Sequence, residues 1–85
     1  MNKHIVMTAA ASMPASCWGQ YKRVAVVELD PGFDAMPKMI STHAKGINKV
    51  VRVWENLNVG KTDRCAYGVA LAEAGRFAAR LNEGG

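Results

Sequence analysis

The chain has 85 residues, 49% of them hydrophobic, with 11 Lys and Arg against 7 Asp and Glu. A domain typically runs to roughly 100–150 residues, so there is room for one small domain and none for a doubly wound nucleotide-binding fold or a TIM barrel. The apolar content excludes a disordered chain, and no apolar run approaches the roughly 20 residues that cross a bilayer.

The positive charge is concentrated. Lys38, Lys45, Lys49, Arg52 and Lys61 face only Glu55 across residues 36–62, a net of +4. Such a segment either binds an anionic partner or forms a solvated helix face. The two cysteines, Cys17 and Cys65, are far apart and have no CxxC partner. With His4 and His43 equally scattered, no zinc-ligand spacing arises, and neither a metal nor a cofactor is expected.

Residues 1–20, MNKHIVMTAAASMPASCWGQ, contain a basic tip and a weak apolar stretch broken by Thr8, Ser12 and Pro14. The segment reads as a flexible tail, or as an over-long reading frame starting before Met7 or Met13, in preference to an export signal. The remaining 21–85 read as a single small α+β domain, and the cytoplasm is the expected compartment.

Tyr21 to Leu29 (YKRVAVVEL) is β-rich and is bounded by Asp30-Pro31-Gly32, a turn-forming triplet, so 22–29 is expected to be a strand. A second short strand is expected at 38–40. In 41–58 propensity and period disagree. Ile47, Val50, Val51 and Val53 favour a strand. On a helical wheel, however, Ala44, Ile47, Val50, Val51, Val53, Trp54 and Leu57 share one half, opposite Lys45, Asn48, Lys49, Arg52, Glu55 and Asn56. Strict alternation leaves more violations, so the pattern predicts a helix capped by Ser41 or Thr42 and stopped by Gly60.

The stretch 62–82 predicts a second helix, with Thr62 or Asp63 as N-cap. Its apolar face runs from Ala66 and Tyr67 through Phe77, which is expected to be buried, to Leu81; a separate strip holds only Gly68, Ala72, Gly75 and Ala79. The expected fold is therefore α+β: one or two N-terminal strands followed by a two-helix hairpin, comparable with a ribbon-helix-helix arrangement. In that arrangement the strand 22–29 pairs with 38–42 or with a second copy of the chain, making a homodimer.

No catalytic constellation is present. Val59-Gly60-Lys61-Thr62 ends like a phosphate-binding loop, but Glu55 stands where the first glycine is needed. No enzymatic activity is expected. The segment 59–81, with Gly60-Lys61-Thr62-Asp63-Arg64-Cys65-Ala66-Tyr67 and Ala70-Leu71-Ala72-Glu73-Ala74, resembles short uncharacterised proteins of bacterial mobile elements and phages. That resemblance implies a mobile-element context and carries no site residues across.

Two functions follow as expectations. The first is a nucleic-acid-binding regulator of a mobile element, using Lys45, Lys49, Arg52 and Lys61 on phosphates. The second is a phage-type inhibitor of the anti-defence or anti-CRISPR kind, docking on a nucleic-acid-processing protein complex. Its exposed anchors would be Trp18 and Phe33, while Trp54 is assigned to the core. No membrane is expected among the partners.

Overall fold

A computed structural model describes residues 3–11 and 19–84. Its elements are strands β1 (His4–Ala10), β2 (Tyr21–Leu29) and β3 (Ile47–Asn58) and helix α1 (Ala66–Gly84). The strands form one antiparallel sheet in the order β1-β2-β3. The architecture is β-β-β-α, and it replaces the expected two-helix hairpin: residues 41–58 contribute a 12-residue strand and no helix. Residues 38–40, expected as a short strand, are bends. Residues 4–10, placed in the expected tail, form the first strand.

β2 is the central strand and is buried on both faces, which is why its apolar residues are consecutive. Val24 and Val26 face α1 and pack with Ala74, Ala78, Trp54, Phe77 and Leu81. Ala25, Val27 and Leu29 face the opposite side, with Met7 and Ile47, beneath Phe33, Ile40 and Ala44 of the 30–46 loop. The loop takes the place of a second layer of regular structure. Because β2 already has a neighbour on each side, it cannot pair with a second copy of the chain as the ribbon arrangement requires.

β3 spends 12 residues against the nine of β2. The register shifts lie between Lys22 and Val24, between Val26 and Val27, and between Glu28 and Leu29, each adding one residue to β3. At the first of these, Asn56 takes a positive φ of 52°, which Asn tolerates better than most residues.

The helix is one continuous element, as its apolar period requires, but it begins at Ala66, later than Thr62 or Asp63 would place it. Thr62 organises a turn instead: its Oγ1 accepts the Arg64 N–H at 3.3 Å, and its carbonyl accepts the Cys65 N–H at 3.3 Å. Cys65 takes the N-cap position, its Sγ accepting the Gly68 N–H at 3.4 Å. Phe77 is half-buried, its ring set edge-on to Trp54 at 6.3 Å and 82°. The far end of α1 is fastened to β1. The Asn82 side chain accepts the His4 N–H at 2.8 Å and donates to the His4 carbonyl at 3.0 Å, as a neighbouring strand would.

Candidate functional site

The four cations singled out in the sequence, Lys45, Lys49 and Arg52 on helical spacing and Lys61 beyond them, do not gather on one surface. Lys45 precedes β3 and Lys61 follows it, so a strand of roughly 40 Å lies between them at 3.3 Å per residue. Lys49 stands opposite Glu28 in the register. The Arg52 guanidinium lies 4.4 Å from the centre of the Trp54 ring and 3.7 Å from the Glu73 carboxylate. The Glu28 carboxylate meets His4 and Asn48, and Arg52 is an exposed cation whose surface ion pair contributes little to stability.

Of the two aromatic anchors, Phe33 is half-buried and packs against the loop-side core, with its ring closed down on Gly46. Trp18 lies outside the described residues. Trp54 belongs to the helix-side cluster, though it is only half-buried.

The register assembles a different group. Ala10 pairs with Lys22, Ala9 with Arg23, and Lys22 with Leu57. The start of β2, the end of β3 and the turn into α1 therefore meet at one end of the sheet. Lys22, Lys61 and Arg64 lie at that end, with Glu55 and Asp63 as the neighbouring acids, while Arg23, the next residue along β2, alternates to the face away from α1. The Lys22 ammonium sits 5.4 Å from the Tyr67 ring centre, which holds it beside the first turn of α1. Arg23 Nε is buried and has no hydrogen-bond partner among the described residues. No acidic side chain occupies the first turn of α1, so the partial positive charge of its N-terminus adds to the same end. The opposite end mixes Lys3, Lys38, Lys45 and Lys49 with Glu28, Asp30, Asp34 and Glu83 and carries no negative excess.

Cys65 lies at this positive end. Backbone N–H groups of Gly60 and Gly68 point at its sulfur and hold the thiol below the usual cysteine value. A Cβ at Gly60 would stand 2.9 Å from the Cys65 Cβ, so the approach needs a residue without one. Among the described residues no group of three His, Cys, Asp or Glu side chains converges to hold a metal. No helix among them is long and apolar enough to cross a membrane.

Of this group sequence reasoning picked out Lys61 alone, because its members come from two separate segments, the start of β2 and the turn into α1. The available signals were the adjacent cations at the start of the predicted strand and the Lys61/Arg64 pair beside a helix start. Comparison with protein-family models, with curated proteins and with solved structures finds no match.

Proposed function

We propose that this is a non-enzymatic nucleic-acid-binding protein, a regulator of the mobile-element setting that the 59–81 resemblance implies. The supporting observation is that Lys22, Lys61 and Arg64 lie beside the N-terminus of α1, whose first turn holds no acidic side chain. Such a group contacts phosphate oxygens and positions the protein without reading bases. Each phosphate neutralised on duplex DNA contributes about 0.9 to the slope of log affinity against log salt.

Fluorescence anisotropy with a labelled random duplex, titrated across salt, tests the reading. Lys61→Gln with Arg64→Gln should flatten the slope by about 1.8, because both side chains are exposed and can each neutralise one phosphate. Lys45→Gln with Lys49→Gln should leave it unchanged. Absence of binding to duplex or single strands at low salt refutes the reading, and so does a slope loss carried by Lys45 and Lys49.

A further inference from the structure

The two edges of the sheet are built differently. β3 carries Lys49, Arg52 and Glu55 and is distorted by its bulges, all features that discourage a further strand. β1, HIVMTAA, contains no Lys, Arg, Asp, Glu or Pro and pairs with β2 without a register shift. The Leu29 N–H donates to the Lys3 carbonyl at 2.8 Å. Residues 3, 5, 7 and 9 therefore bond inward to β2, and the N–H and C=O of His4, Val6, Thr8 and Ala10 point outward. Asn82 satisfies both groups of His4. Among the described residues, nothing satisfies those of Val6, Thr8 and Ala10.

These groups open into a trough of about 390 Å³, lined by Val6, Met7 and Thr8 along its floor, Met36 and Lys38 on the loop side and Leu71 on the helix side. Met36 is 65% exposed and Leu71 37%. On α1, Leu71, Gly75, Ala79 and Asn82 succeed one another at spacings of four, four and three, so they share the flank that faces this edge. A Cβ at Gly75 would meet nothing within 4 Å. That flank leaves room for a second helix alongside.

We infer that β1 pairs with β1 of a second copy, antiparallel about a two-fold axis, extending the sheet to six strands. A strand that is its own partner is automatically complementary under two-fold symmetry. Charge favours the same occupant: copies of a protein with net charge +4 meet at least cost along the edge strand that holds no charge. The Asn82 clamp sets the register. An axis through Met7 would require His4 to pair with Ala10, but the outward groups of His4 are taken. An axis through Thr8 pairs Thr8 with its symmetry mate and Val6 with Ala10, using every free group and leaving the clamp intact. The inference is independent of the nucleic-acid reading, since it uses none of that site's side chains.

Light scattering on the eluting protein should give about twice the 9.2 kDa chain mass. Thr8→Pro deletes an outward N–H that the β1-β2 ladder does not use, and edge strands tolerate Pro in that position. It should yield a monomer with unchanged circular dichroism. A second measurement does not depend on that variant folding. In a Cys17→Ser, Cys65→Ser background, Thr8→Cys should cross-link with its symmetry mate under mild oxidation, since directly opposed residues stand about 5.5 Å apart. Val6→Cys should not, because its copies are offset by roughly 13 Å along the strands. A monomeric wild type at about 100 μM overturns the inference. A folded dimeric Thr8→Pro variant, or cross-linking at position 6 as readily as at 8, also overturns it.

Discussion

Gly46 is the seat on which the loop-side core closes, and replacing it tests that half of the fold. Its φ is +94°, and an added Cβ would lie 2.4 Å from Cε1 and Cζ of Phe33. Its carbonyl also accepts the Asp30 N–H at 2.8 Å, tying the two ends of the loop together. Gly46→Ala therefore carries two penalties. Holding an alanine in this backbone region costs about 1–2 kcal/mol. Lifting the half-buried Phe33 ring from Leu29 and Ile47 costs about 1 kcal/mol more, a fraction of what full burial of a Phe contributes. The sum of about 2–3 kcal/mol is a large share of the roughly 4–13 kcal/mol available to a chain of this length. Thermal unfolding followed by circular dichroism should show a Tm lower by roughly 10–20 °C. A double-mutant cycle separates the two penalties. In a Phe33→Ala background, Gly46→Ala should cost only the backbone part, leaving a coupling of about 1 kcal/mol. A Gly46→Ala variant melting within about 2 °C of the parent would refute this account of the loop. An undiminished cost in the Phe33→Ala background would refute the ring contact specifically.

The bulge at Asn56 makes a second prediction: Asn56→Gly should be near neutral, while Asn56→Val should lose about 1–2 kcal/mol in chemical denaturation, because a β-branched residue resists positive φ. Cys65 gives the third. Its thiol is held below the ordinary value in the folded chain, so the stabilisation from this group is complete above the unfolded-state pKa and is lost as pH falls through the folded-state value. Denaturant midpoints across pH should show that rise, and Cys65→Ser should abolish it. In the Cys17→Ser chain, iodoacetamide should label Cys65 at lower pH in the folded protein than in the urea-unfolded one.

Local chemistry alone determined two elements. The strand at 22–29 is legible because a run of valines ends at Asp30-Pro31-Gly32, and it lies centrally because both of its faces are apolar. The C-terminal helix is legible because Tyr67, Ala70, Ala74, Phe77, Ala78 and Leu81 repeat at helical spacing, although its start moved to Ala66 once Cys65 took the cap. Tertiary structure decided the rest. In β3 the side-chain period of two is reset at each of its three register shifts. Apolar and polar positions then drift across the strand in a way that imitates a helical wheel. The propensity of Val50, Val51 and Val53 pointed correctly to a strand, but the bulges hid the matching alternation. Strand β1 was unreadable for another reason: Ile5, Val6 and Thr8 favour a strand, but the run passes straight into Ala- and Ser-rich sequence, and its place is set by the open edge of β2 and by the Asn82 clamp, 78 residues from its partner His4. The positive end of the sheet follows from that same register, since only strand pairing brings Lys22 to Lys61 and Arg64. Spacing along the chain carries no information about a neighbour supplied by a hydrogen-bonded ladder across the sheet.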